Sequence, residues 1–199
     1  MNIFKTTNNL FNVCVYGSAS DNLWTDYQIR SARELGANLA LGGWNLITGA
    51  CNHGLVGECI RAFAETREWI NTEWWPNQWS LGVSTELYSQ CEECCSGCDE
   101  IIVSPYVDKR KKIMLEKSHL FVVLPGGVGT LDELARTMLD FQERARTEED
   151  HRRIFIDNTS GHYDFLIHYI QDLSDNDLKK RITVLESYMH DPWEALFND

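Results

Sequence analysis

The chain has 199 residues, 43% of them hydrophobic, and a formal net charge of -12. That length suits one α/β domain, 1–199, with a real core, and the acidic balance argues against a nucleic-acid groove, because Lys109 to Lys112 is the one basic stretch. No apolar run approaches bilayer-spanning length, residues 1–10 lack a signal peptide's apolar core, and the seven cysteines are an odd number; reduced thiols and a cytoplasmic location are expected, with neither a membrane nor nucleic acid as partner.

Strands and helices alternate along the chain. Asn12 to Tyr16 is an apolar strand ending at Gly17-Ser18. Asp26 to Leu41 carries Ile29, Ala32, Leu35, Leu39 and Ala40 at helical spacing. Trp44 to Thr48 predicts a second strand ending at Gly49, and Leu55 to Trp69 the next helix. Ser80 to Val83 and Glu100 to Val103 read as short strands, Val107 to Ser118 as a helix, and Leu120 to Leu124 as a buried parallel strand. Leu131 to Phe141 is again helical, followed by a strand at Ile154 to Ile156, a helix over Tyr163 to Leu173 and a last strand at Ile182 to Leu185. This alternation predicts a doubly wound, mostly parallel sheet with helices on both faces. Ligands of such sheets bind beyond the carboxyl ends of the strands, where Gly17, Gly49 and Gly126 lie.

The most informative segment is Leu124-Pro125-Gly126-Gly127-Val128-Gly129-Thr130-Leu131-Asp132-Glu133. A glycine-rich turn between a strand and a helix N-terminus is a ready anion site, since the backbone approaches closely and unpaired N–H groups favour a phosphate. Gly126, Gly127, Gly129 and Thr130 are the candidate phosphate cradle, and Glu133 follows it within one turn. The loop has neither the lysine of G-x-x-x-x-G-K-[ST] nor the spacing of G-x-G-x-x-G. Thr130-x-x-Glu133 also fits a capping box, with Thr130 as N-cap and Glu133 returning to its N–H; capping leaves Pro125-Gly126-Gly127 and Gly129 without a reason.

These residues resemble the PGGxGTxxE signature of the "lonely guy" (LOG) family, once described as lysine decarboxylases. Val107-Asp108-Lys109-Arg110-Lys111-Lys112-Ile113-Met114 resembles the companion Arg-Lys element, Val13 to Ser18 the first strand and turn, and Arg153 to Asn158 with Gly161-His162-Tyr163 the late strand and asparagine turn. The likeness runs from about Asn12 to Asp191. It implies a Rossmann-like fold, a homodimer, and a phosphoribohydrolase that releases the base from a nucleoside 5′-monophosphate, of the AMP or cytokinin riboside type. On that likeness Arg110 and Glu133 are the catalytic pair, with Gly17, Ser18, Gly49 and Lys111 as further substrate contacts. One departure stands at Gly49-Ala50-Cys51, where plant-type members carry three glycines. His119 stands where an acidic residue commonly precedes the signature strand, and reads as structural.

Breaking an N-glycosidic bond builds positive charge on the ribose. Glu133 can stabilise that charge or orient and deprotonate the attacking water, and the guanidinium fork of Arg110 suits a phosphate, a ribose hydroxyl or the Glu133 carboxylate. No cofactor or metal is required. The alternative is a carrier that holds a nucleotide or phosphorylated cofactor without turnover. Lysine decarboxylation lacks support, because no lysine sits in a recognisable Schiff-base context.

Between the two family elements lies a Trp- and Cys-rich insertion, about 69–99. Trp69, Trp74, Trp75 and Trp79 suit packing against a neighbouring helix or a subunit partner, with base stacking as the rival, and Trp79 or Tyr88 is the candidate base contact. Cys91, Cys94, Cys95 and Cys98 form two abutting C-x-x-C pairs. They fit a structural zinc clip less well than widely spaced pairs do, and a disulfide or plain thiols are the other readings.

Overall fold

The computed structural model describes residues 11–21, 24–70, 75–91, 95–144, 151–186 and 192–196. Seven parallel strands form one sheet: β1 (Asn12–Tyr16), β2 (Asn45–Thr48), β3 (Ser80–Thr85), β4 (Glu100–Ser104), β5 (Leu120–Val123), β6 (Arg153–Asp157) and β7 (Ile182–Leu185). Their spatial order is β4-β3-β2-β1-β5-β6-β7, so the winding reverses between β1 and β5. The helices are α1 (Asp26–Leu41), α2 (Gly54–Ile70), α3 (Glu86–Cys91), α4 (Val107–Lys117), α5 (Val128–Arg144), α6 (Asp164–Asp172) and α7 (Asn176–Lys180), with a 3-10 turn at Pro192–Leu196. The doubly wound α/β expectation holds.

Side chains of a strand alternate between faces, and the two halves of the core follow that period. Val13, Val15, Leu46, Val122 and Phe155 point to the face covered by Leu35 and Leu39 of α1, Ile60 and Phe63 of α2, and Trp193 of the 3-10 turn. Cys14, Tyr16, Ile47, Phe121 and Ile154 point to the opposite face, under Met114 of α4, Leu134 and Phe141 of α5, and Ile167 of α6. Burial on both faces is why the central strands read as apolar runs without polar alternation. Helices α1 and α2 pack tightly: a Cβ on Gly36 would overlap the Cys59 carbonyl. Thr25 caps α1, and Gln28 completes the box from the third helical position.

At the carboxyl end of β2 the chain is strained. Ala50 has φ of +63°, in the left-handed region that disfavours a Cβ. Ala50→Gly is therefore expected to stabilise the protein by about 0.5–1 kcal/mol, after allowing for the glycine's greater unfolded-state entropy. Differential scanning calorimetry should show a midpoint raised by about 1–4 °C; a lowered midpoint contradicts the strain.

Candidate active site

Because the winding reverses between β1 and β5, a crevice opens beyond their carboxyl ends. A cavity of about 440 Å³ occupies it, lined by the turn after β1 (Gly17 to Ser20), Gly49 and Cys51 after β2, Tyr88 of α3, Val107 and Arg110 of α4, and Gly127, Gly129, Thr130, Asp132 and Glu133 around the start of α5. The loops that build it are tied together through the backbone. Ser18 donates its N–H to the Pro125 carbonyl at 3.1 Å, and Val56 donates to the Ser18 carbonyl at 3.2 Å.

The glycines of the signature divide the work. A Cβ on Gly127 or on Gly129 would meet nothing within 4 Å, so both positions face open space beside the first N–H groups of α5, which lack intrahelical partners. Gly126 is different: a Cβ there would run into the Thr130 hydroxyl, and it does not line the cavity. The capping reading is corrected. Helix α5 begins at Val128, which puts Thr130 inside the first turn, and the Glu133 carboxylate turns to Arg110. Two residues behind the loop brace it. His162 donates from Nε2 to the Gly126 carbonyl at 2.9 Å, and the Tyr163 hydroxyl donates to the Leu124 carbonyl at 2.9 Å.

Arg110 and Glu133 meet as a buried ion pair. Nη1 of Arg110 donates to Oε1 of Glu133 at 2.7 Å, Nε donates to the Val83 carbonyl at 2.7 Å, and both side chains are 11% exposed. Gly49 leaves the room for this arginine, since a Cβ on Gly49 would collide with its guanidinium. The guanidinium carbon also lies 5.9 Å from the centre of the Tyr88 ring. Burial pushes the Glu133 carboxyl above its ordinary range, and the Arg110 charge and hydrogen bond pull it part of the way back. Beneath the pair, burial raises the Tyr16 phenol, and the Glu133 charge adds to that rise. The site thus holds a carboxyl in a dry setting, next to a fixed cation and a glycine-lined helix start.

Other expected contacts fall elsewhere. Lys111 lies outside the lining, with its Nζ 2.8 Å from Asp132 and 3.2 Å from Asp108, where it ties α4 to α5. His119 sits at the opposite end of the sheet and accepts the Asn12 N–H through Nδ1 at 3.0 Å, a structural role. Trp75 lies over Gly43 and donates from Nε1 to the Leu41 carbonyl at 3.1 Å; Trp79 packs on the core, and Trp69 is 81% exposed. None of these three lines the cavity, whereas Tyr88 does. Trp74 lies outside the described residues. So do Cys94 and the side chain of Cys91, leaving Cys95 and Cys98 of the cysteine cluster, both free thiols. Among the described residues no group of three or more His, Cys, Asp or Glu is placed to hold a metal ion, and no helix is long and apolar enough to cross a membrane.

Asp132, Val107 and Cys51 of the lining, like His162 and Tyr163 behind it, lie in the quoted motifs without an assigned role there, and Ala19-Ser20 lies in none of them.

Residues 69–196 match the family model described as possible lysine decarboxylase. Curated relatives carry the name cytokinin riboside 5′-monophosphate phosphoribohydrolase. One from Mycobacterium marinum is 29% identical over 147 residues, spanning 72% of this chain and 70% of the relative. Another from Mycobacterium tuberculosis is 36% identical over 103 residues, spanning 52% of this chain and half of the relative. Among solved structures, the molybdenum cofactor binding protein of Rippkaea orientalis superposes with a TM-score of 0.65 at 17% identity, covering 96% of this chain and 95% of that one. The molybdenum cofactor carrier protein of Chlamydomonas reinhardtii gives 0.63 at 19% identity, with 94% of each chain covered. At those identities the superpositions speak to the fold alone. With the signature in register and the family model spanning well over half its length, the chain belongs to the possible lysine decarboxylase family, that of the LOG proteins.

Proposed function

We propose that the protein is a phosphoribohydrolase: water replaces the base at C1′ of a nucleoside 5′-monophosphate, giving free base and ribose 5-phosphate. The observation that carries this reading is the 2.7 Å Arg110–Glu133 pair beside the open faces of Gly127 and Gly129. The 5′-phosphate is held at the start of α5 by backbone N–H groups and Thr130, where the helix dipole favours an anion. The ribose then lies over Glu133, and its carboxylate faces the charge that grows on C1′ as the bond to the base lengthens. Arg110 keeps that carboxylate ionised and fixed in direction. Ring stacking on Tyr88 holds the base.

Incubating the protein with a panel of nucleoside 5′-monophosphates, followed by chromatography for base and ribose 5-phosphate, tests the reading. Stoichiometric release of both products is expected, with AMP-type nucleotides the first candidates. The second reading is a carrier without turnover, since the same fold is found in proteins described as a molybdenum cofactor binding protein and a molybdenum cofactor carrier protein. Saturable binding by calorimetry without any base release would establish it.

The same reading places the protein in the cytoplasm as a homodimer. Ile101 and Val103 of β4 are 36% and 48% exposed on a sheet edge, Tyr106 just beyond the strand is 60% exposed, and Leu87 of α3, a helix in contact with β4, is 63% exposed. An apolar edge strand of this kind calls for a partner surface. Gel filtration with light scattering should give twice the chain mass, and Val103→Lys should shift it toward the monomer. A wild-type monomer contradicts the dimer.

A further inference from the structure

The turn after β6 is held by its own hydrogen bonds. The Gly161 N–H is donated to the Asn158 carbonyl at 2.9 Å, and the Asn158 side chain accepts the Tyr163 N–H at 2.7 Å while donating to Asp164 at 2.9 Å. Between these anchors His162 reaches the signature loop. Its ring meets those of Tyr163 and Trp24 edge-on, with centroids 4.7 Å and 5.6 Å apart. Trp24 in turn donates from Nε1 to the carbonyl of Ser20, a lining residue, at 2.6 Å.

Four successive carbonyls of the loop are occupied. Leu124 accepts the Tyr163 hydroxyl, Pro125 the Ser18 N–H, Gly126 the His162 Nε2–H, and Gly127 the Leu131 N–H. In a trans peptide the C=O of one residue and the N–H of the next point to opposite sides. Drawing the Gly126 carbonyl back to His162 therefore turns the Gly127 N–H forward, and Gly127 lines the cavity. Among the described residues nothing accepts that N–H. Tyr163 has no such effect through Leu124, because the next residue, Pro125, has no N–H to aim.

With glycine at each end, the Gly126–Gly127 peptide can turn over without a Cβ to oppose it. Turned over, it would present a carbonyl oxygen to an anion in place of a donor. His162 does not line the cavity, so it acts through the peptide.

We propose that His162 is a positioning residue for anion binding, locking the Gly126–Gly127 peptide with its N–H toward the phosphate monoester of the ligand; this rests on the phosphate cradle of the proposed function and not on hydrolysis.

The test uses carbocyclic AMP, in which a methylene replaces the ring oxygen and the bond to the base resists hydrolysis. Protein labelled with ¹⁵N-glycine is titrated by NMR, with the Gly127 signal assigned by its loss in Gly127→Ala. In wild type the Gly127 amide proton should move downfield as the analogue binds, the signature of a hydrogen bond to a phosphate oxygen. His162→Phe keeps a ring against Trp24 and Tyr163 and removes the donor. Its calorimetric affinity for the analogue should fall by about tenfold or more, the cost of a hydrogen bond to a charged group, and its Gly127 shift should shrink. His162→Gln ends in an N–H of similar reach and should return affinity to within about threefold of wild type.

An unmoved Gly127 signal in wild type, undiminished affinity in His162→Phe, or failure of His162→Gln to restore it overturns the proposal. Any of these beside base release from AMP leaves the hydrolase reading standing. The expected shifts without base release sink that reading and support the positioning role. A wild type that does not bind the analogue removes the cradle, and the proposal with it.

Discussion

Glu133→Gln is expected to lower base release from nucleoside 5′-monophosphates by about 10²–10⁴-fold, the range for removing a positioned acid–base or charge-stabilising group. Glutamine keeps the shape and an acceptor oxygen for Arg110 at the position now 2.7 Å away. The glycine face of α5 is untouched, so nucleotide affinity should change by less than about tenfold. The loss then falls on kcat and not on KM. Steady-state kinetics beside calorimetric binding separates the two; a Glu133→Gln variant with near-normal kcat removes the carboxylate from the mechanism.

The second large effect follows from the same pair's burial. Arg110→Met takes away the cation while leaving Glu133 enclosed, and an unpaired buried charge costs about 3–5 kcal/mol. For a domain of this size that lowers the melting midpoint by about 6–20 °C. The direction with pH can be worked out. Glu133 already sits above its ordinary value because burial outweighs the pull of Arg110. A carboxyl raised in the folded state adds stability that is complete below its unfolded pKa and is lost as pH rises through the folded one. Without Arg110 the folded value climbs further, so Arg110→Met should be least harmful in acid and most harmful above neutrality. In wild type the acidic limb of kcat/KM should lie above the ordinary glutamate range. The double variant Arg110→Met/Glu133→Leu should recover much of the midpoint and none of the activity. Equal destabilisation of Arg110→Met at all pH values contradicts this account.

How far the sequence spoke for itself depends on where the driving force lies. Strand β1 and helix α1 coincide with their expected bounds, because a doubly buried strand and a core-facing stripe leave local signatures. Helix α5 starts three residues before the expected Leu131, since Val128-Gly129-Thr130 carries no apolar stripe and its glycine disfavours a helix interior. Helix α3, six residues of mixed polarity, and α7, capped by the Asp175 side chain, are too short to show a period. The 3-10 turn exists to bury Trp193, which donates to the Ser31 carbonyl at 3.1 Å from 162 positions away.

The site divides in the same way. Gly127, Gly129 and Glu133 lie within one contiguous motif, and the glycine pattern itself points to an anion. Arg110 is 23 positions from Glu133, and only the family resemblance put them together. The need for glycine at 49 is tertiary, set by the Arg110 guanidinium, and so is the bracing of Gly126 by His162. Lys111 shows the limit of reading a basic cluster by position: one of its cations faces the cavity, and its neighbour holds two helices together.

The most direct test of the central claim is a proton NMR time course of the wild-type protein with AMP, run beside Glu133→Gln. The account predicts that the nucleotide's anomeric signal decays while free adenine and ribose 5-phosphate grow in equal amounts, and that the variant's spectrum stays nearly constant. An AMP spectrum unchanged at saturating protein contradicts hydrolysis of this nucleotide, and the same outcome across the nucleotide panel, together with saturable binding by calorimetry, would make the protein a carrier.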